Sequence, residues 1–144
     1  MNDSTSKQKQ FQKIYMQTAW LYANVSKDLR KKVGAVLVTE TGILIPGYNG
    51  IYAGGSNENQ LVLESGELVT KQEVIHAELN CVLKAAKEGV SVVNSMVYVT
   101  MSPCLSCSSM LIQSGVKSVC YDENYRDLSG IELLKSAGIE VTKI

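Results

Sequence analysis

Two short motifs constrain this chain more than any other feature: His76-Ala77-Glu78 and, downstream, Pro103-Cys104-Leu105-Ser106-Cys107. Together they offer three ligands of zinc-binding type, His76, Cys104 and Cys107, and one carboxylate, Glu78, that is left over. A structural zinc fills four positions with Cys or His, whereas a catalytic zinc keeps three protein ligands and leaves one position for water. Three ligands and a spare acid therefore describe a catalytic centre, with Glu78 placed to move protons beside the water. The spacing of three puts both sulfurs on one face of a helix, one turn apart, so that they grip the same ion. Pro103 marks the start of that helix. Its positive end and free amides stabilise thiolate, restoring the Lewis acidity that two thiolates take from the metal. His76 is expected to open a second helix. Each piece alone has a plainer meaning, since a His at a helix start is commonly a capped surface residue and CxxC also serves redox and structural roles.

The rest of the chain sets the frame. Its 144 residues make one domain, with a loose tail expected over residues 1–7, and a domain of that size buries roughly 70% of the surface its unfolded chain exposes. It needs no staples. Four cysteines without a secretory signal, two of them assigned to metal, point to a reducing, cytoplasmic setting, or a host cytoplasm if the source is viral. Cys81 in an apolar helical pattern and Cys120 in an apolar strand read as core residues. No apolar run is long enough to cross a bilayer, so no membrane partner is expected. Lys plus Arg and Asp plus Glu balance at 14 each, which argues against a nucleic acid polymer as partner. Lys27, Arg30, Lys31 and Lys32 are the local exception.

Periodicity alternates between helix and strand. Phe11, Ile14, Tyr15, Thr18, Ala19, Tyr22 and Val25 recur at helical spacing and predict a helix from about Gln10 to Ser26. Val33 to Thr39 and Ile43 to Tyr48 read as a hairpin about Glu40-Thr41-Gly42, with Pro46 near an edge. From Asn49 to about Gln72 the chain shows little periodicity, and so long an irregular segment is more often functional than accidental. Val74 to Lys87 is expected to be helical, ending at Gly89, and Met96 to Thr100 to be a buried strand leading into the cysteine motif. A helix over Cys104 to Gln113, a strand over Val116 to Tyr121, a helix over Ser129 to Ala137 and a strand over Ile139 to Thr142 follow. Strand, helix, strand, helix, strand predicts parallel pairing.

The order H-x-E then P-C-x-x-C is that of zinc deaminases, and over nearly its whole length the chain resembles the cytidine deaminase superfamily, within it the deoxycytidylate (dCMP) deaminase branch. The matching segments include Ser26-Lys27-Asp28, Val33-Gly34-Ala35-Val36, Gly47-Tyr48-Asn49-Gly50, His76-Ala77-Glu78-Leu79-Asn80, Ser102-Pro103-Cys104 and Tyr125-Arg126-Asp127. The resemblance implies a three-layer α/β/α fold around a five-stranded mixed sheet, one catalytic Zn2+ per chain, and hydrolysis of dCMP to dUMP and ammonia. By the same resemblance Glu78 carries the protons, and the Cys104 amide or the Ala77 and Ser102 carbonyls hold the base edge. Asn49 meets sugar and base, Ser26 and Lys27 meet the 5′-phosphate, and Tyr125 covers the pocket or bonds the phosphate.

For several of these residues a plainer reading stays open: a turn asparagine at Asn49, a solvated basic loop at Lys27, a packing tyrosine at Tyr125. The branch also implies a hexamer, activation by dCTP and inhibition by dTTP, with Mg2+ on the effector triphosphate. That site is expected over Asn49, Gly50, Ala53, Gly54, Gly55, Asn57 and Glu58, although Gly54-Gly55 also reads as a flexible turn. The competing activities are adenosine deamination in tRNA, which the balanced charge disfavours, and a structural zinc module that binds a protein partner.

Overall fold

Alternation along the strands sorts the apolar side chains into two cores, one on each face of a single sheet. The structure is a computed structural model that describes residues 3–144. In chain order its elements are helix α1 (Asp3–Ala23), strands β1 (Gly34–Val38), β2 (Leu44–Tyr48), β3 (Gln60–Val62) and β4 (Leu68–Thr70), helix α2 (Ala77–Glu88), strand β5 (Met96–Met101), helix α3 (Leu105–Ser114), strand β6 (Ser118–Glu123), helix α4 (Ser129–Ser136) and strand β7 (Glu140–Lys143). Five strands form one mixed sheet in the order β2-β1-β5-β6-β7. β1 runs antiparallel to both β2 and β5, while β5, β6 and β7 are mutually parallel neighbours linked through α3 and α4. Ala35, Leu37, Val97, Val99, Val119 and Tyr121 face a core shared with α2, α3 and α4 through Cys81, Ala85, Leu111, Ile131 and Leu134. Val36, Val38, Tyr98 and Cys120 face the opposite way, onto Met16 and Ala19 of α1. The result is the expected three-layer α/β/α arrangement, and Cys81 and Cys120 are buried in it as free thiols.

Close approach of α2 and α3 to their neighbours positions everything that follows. A side chain on Gly47 in β2 would stand 2.6 Å from the Ala77 carbonyl and 2.9 Å from the Cys81 sulfur, so glycine there lets the start of α2 lie directly on the sheet. α2 is also fastened along β2, which lies at the sheet edge as Pro46 suggested. Asn80 Nδ2 donates to the Tyr48 carbonyl at 2.6 Å, and Lys84 Nζ to that of Pro46 at 2.7 Å. Gly130 does for α3 what Gly47 does for α2: a Cβ there would collide with the Pro103 carbonyl and stand 2.7 Å from Ser108 Oγ.

Two expectations are corrected. α1 begins at Asp3, so residues 3–7 are helical rather than a loose tail, while residues 1 and 2 lie outside the described residues. Lys7, Gln8, Lys9 and Gln10 are good helix formers without an apolar stripe, and periodicity is blind to such a stretch. The segment from Asn49 to Gln72 is not wholly irregular either. Its second half is the hairpin β3–β4, with Gln60 paired to Thr70 and Val62 to Leu68 around a turn containing Gly66 at φ 84°. Strands of three residues are too short for alternation to register.

Candidate active site

Both metal-binding motifs sit at helix starts. His76 is the N-cap of α2, in extended conformation, and its carbonyl accepts the first helical bond from Asn80 at 3.0 Å. The residue before it is held in a miniature ladder, Gly50 N–H to the Ile75 carbonyl at 3.0 Å and Ile75 N–H to the Gly50 carbonyl at 2.9 Å. Cys104 is the N-cap of α3, where its sulfur accepts from the Cys107 amide at 3.4 Å. The arrangement is that of a capping residue whose acceptor is sulfur.

These starts bring His76, Cys104 and Cys107 together, their ligand atoms all within 4.8 Å of one another. His76 Nδ1 lies 3.6 Å from Cys104 Sγ and 3.2 Å from Cys107 Sγ. Zinc bonds of ~2.3 Å to sulfur and ~2.0 Å to nitrogen at a tetrahedral angle give an N···S edge of about 3.5 Å, so the donor set fits a zinc ion in both chemistry and spacing. The hydrogen bond with Cys107, then that with His76, pulls the Cys104 thiol down to about 4, in the range where thiolate is the resting form. Cys107 is pushed the other way by the same pairing and by burial, and the hydrogen bond with Cys104 holds the His76 imidazole above its ordinary value. His76 is open to solvent, Cys104 half-buried and Cys107 buried, which leaves one side of the cluster accessible.

That side is a cavity of about 390 Å³ whose floor includes His76, Ala77, Glu78 and Cys104. The volume lies in the range of small-molecule sites. Glu78 is 3% exposed, and burial pushes its carboxyl above the usual carboxylate range. Val33, Val74 and Met101 supply apolar wall, and Arg30, Lys31, Tyr125 and Arg126 surround the remainder. The Arg126 guanidinium lies 5.7 Å from the Tyr125 ring centroid, and Lys31 is ion-paired with Glu123. Ser102 joins the wall, its hydroxyl accepting from the Tyr125 amide at 2.7 Å.

Of the residues expected to contact substrate, Asn49, Ala77, Ser102 and Tyr125 line the cavity; Ser26 and Lys27 do not. Ser26 is 1% exposed, and its hydroxyl is engaged, donating to the Asn49 carbonyl at 2.8 Å and accepting from the Asp28 amide at 3.2 Å. Lys27 is exposed outside the cavity. Ser26 is thus a buried hydroxyl bonded to two backbone groups that organises a loop, and the neighbouring lysine is no part of the cavity wall. Asn49 stands at the junction of cavity and loop. It lines the cavity, yet its side chain accepts from Val33 N–H and donates to the Lys31 carbonyl, both at 2.9 Å, and so shapes the segment that carries Lys31. Ala53, Gly54, Asn57 and Glu58 are exposed, Gly55 is half-buried, and none of them lines the cavity; Gly55 closes a turn onto the Tyr52 carbonyl at 3.0 Å. Residues that sequence reading did not assign to the site are Asp28, Arg30, Lys31, Val33, Thr70, Val74, Met101 and Arg126. The basic cluster after Lys27 and the Tyr125-Arg126-Asp127 match were signals for the charged ones; no local pattern marks the others.

Fold and site together define a metal-dependent hydrolytic deaminase. A family model described as the cytidine and deoxycytidylate deaminase zinc-binding region matches residues 9–123, and the chain belongs to that family. It is 33% identical to the deoxycytidylate deaminase of Enterobacteria phage T4, covering 90% of this chain and 87% of that one. It is 35% identical to the ComE operon protein 2 of Bacillus subtilis, over 90% and 69% of the two chains. Among solved structures, the dCMP deaminase of cyanophage S-TIM5 in complex with dCMP and dUMP superposes with a TM-score of 0.83 at 38% identity, over 100% of this chain and 99% of that one.

Proposed function

We propose that the protein hydrolyses dCMP to dUMP and ammonia, supplying dUMP. The observation that carries this reading is the make-up of the cavity wall. It joins His76, Cys104 and buried Glu78 with the cations Arg30, Lys31 and Arg126, and a base linked to a phosphate calls for both kinds of group. The 38% identity to a deaminase solved with dCMP and dUMP supports the same substrate.

Zinc held by His76, Cys104 and Cys107 supplies a Lewis acid that makes water nucleophilic near neutral pH. Glu78 takes the proton that water gives up as it adds to the amine-bearing carbon of the cytosine, and passes it to the adjacent ring nitrogen. It then assists the departure of ammonia. A carboxyl raised by burial is suited to holding a proton between those steps. The Ala77 and Ser102 carbonyls accept from the base edge, Val33 and Val74 exclude water from its faces, and Tyr125 stacks over it, braced by Arg126. Arg30, Lys31 and Arg126 meet the phosphate, with Lys31 exchanging its Glu123 partner for the incoming anion. The regulatory reading extends to a hexamer in which dCTP with Mg2+ activates and dTTP inhibits through the loop from Asn49 to Glu58, which the Gly50–Ile75 ladder connects to His76.

An absorbance assay of zinc-loaded protein against dCMP, deoxycytidine and cytidine tests the substrate. Efficient turnover of dCMP, with deoxycytidine poorer by at least about tenfold in kcat/KM, is the expected result. Equal efficiency on dCMP and deoxycytidine removes the phosphate from the reading. Saturation curves that dCTP and dTTP leave unchanged remove the regulation and leave the catalysis.

A further inference from the structure

Asp28 is an unexpected residue to find on this wall. A carboxylate beside Arg30 and Lys31 repels the anion those cations are proposed to bind, so its place here needs another reason. Its hydrogen bonds supply one. Asp28 is 8% exposed, and its Oδ1 accepts from the backbone amides of Arg30 and Lys31, each at 2.9 Å. Its Oδ2 accepts from Asn59 Nδ2 at 3.0 Å and Gln60 Nε2 at 2.8 Å. Four donors meet the acceptor capacity of an ionised carboxylate. Burial by itself raises the carboxyl, and these hydrogen bonds together outweigh burial and hold it below its usual range.

The two oxygens do separate things. Oδ1 winds the chain from Asp28 to Lys31 into the turn that presents both cations to the cavity. Oδ2 fastens that turn to the first strand of the β3–β4 hairpin, where Gln60 returns the grip by accepting from the Leu29 amide at 3.1 Å. Gln60 Nε2 also reaches Thr70 Oγ1 across the hairpin at 3.2 Å, and Thr70 lines the same cavity. Asn59 is 2% exposed and spends its donor on Asp28, while its Oδ1 is buried without a hydrogen-bond partner. Two buried amides therefore converge on one carboxylate.

We infer that Asp28 is a positioning residue for recognition of the substrate phosphate, fixing the turn that carries Arg30 and Lys31 and locking it to the β3–β4 hairpin. The inference rests on the dCMP reading above and names a residue that sets its specificity without touching the reacting atoms. Asp28→Asn separates the two oxygens: the substituted side chain keeps one acceptor for the Arg30 and Lys31 amides but turns a donor toward the Asn59 and Gln60 donors. The partner change Gln60→Glu restores complementarity with position 60, because its carboxylate accepts from the amide introduced at position 28 as well as from the Leu29 amide and the Thr70 hydroxyl, while the Asn59 donor stays opposed.

The test measures kcat and KM of the zinc-loaded protein for dCMP and for deoxycytidine, with zinc content alongside. In Asp28→Asn, KM for dCMP should rise about tenfold with kcat within about twofold, so that the ratio of kcat/KM for dCMP over deoxycytidine falls about tenfold. Asp28→Asn with Gln60→Glu should recover most of that ratio, a coupling that independent sites do not show. Asn59→Ala, which removes one donor together with the unpartnered oxygen, should lower the ratio in the same direction by about threefold. Should Asp28→Asn fail to fold, the double variant and Asn59→Ala carry the test. Equal losses on both nucleotides, or a ratio unchanged in the variants while the wild type still prefers dCMP, overturn the positioning role alone. A wild type indifferent to the phosphate overturns the dCMP reading and this inference with it.

Discussion

The metal-binding part of the cavity wall and its cationic part are built by different means. The metal-binding part stands on regular elements: two helix N-caps, His76 and Cys104, each seated on a neighbour through a glycine that removes the side chain in the way. In the cationic part, Arg30 and Lys31 belong to neither helix nor strand. Residues 24–33 are held in shape by hydrogen bonds from Ser26, Asp28, Asn49, Asn59 and Gln60, most of them to backbone groups. Chemistry that demands fixed ligand geometry rests on rigid elements, and recognition that must admit and release a charged group rests on a loop whose shape is specified polar atom by polar atom.

The largest test of this contrast acts on the metal-binding part. Glu78→Gln keeps the shape of the buried side chain but cannot carry a proton. It should fold and hold zinc while turnover falls by about 10² to 10⁴, the usual range for a general acid-base group, measured as kcat beside metal content. Gly130→Ala probes the support rather than the chemistry. The added methyl collides with the Pro103 carbonyl and crowds Ser108; overpacking of this kind costs about 1 to 3 kcal/mol, to be read from denaturant unfolding, and zinc retention in a chelator competition should weaken in step. Arg126→Ala in the cationic part should raise KM for dCMP about tenfold while leaving zinc content and unfolding unchanged, as expected when one charge-assisted hydrogen bond is lost. The smallest expected effect is the most discriminating: Lys27→Ala should change KM by less than about twofold, since the side chain is exposed and lies outside the cavity. A tenfold effect there would move the phosphate away from Arg30 and Lys31 and restore the sequence-based expectation.

The contrast also explains what the sequence disclosed. His76, Glu78, Cys104 and Cys107 are legible because their spacing follows helix geometry, so the motif and the structure obey one rule. The division of Val36 and Val38 from Ala35 and Leu37 was not legible, because β1 is apolar at every position and is buried on both faces. The polar start of α1 and the three-residue strands of β3–β4 carry no apolar period, and propensity alone is a weak signal. Asp28 meeting Gln60, and Ser26 meeting the Asn49 carbonyl, join residues far apart in the chain through single hydrogen bonds, and no local pattern encodes such pairings. Without them the sequence points to Ser26 and Lys27 for the phosphate, and the cations two and three residues beyond Asp28 enter only through the proposal above.

The Gly50–Ile75 ladder has a consequence for how the protein takes up its metal. A histidine at the end of a free loop must surrender backbone motion when it coordinates, at roughly 1 to 2 kcal/mol for each residue ordered. Here the peptide before His76 is already clamped by two hydrogen bonds and the peptide after it already begins a helix. The imidazole is left with little more than its own two torsions to settle. Affinity for the ion is therefore raised by preorganisation, with the ordering completed when the chain folds.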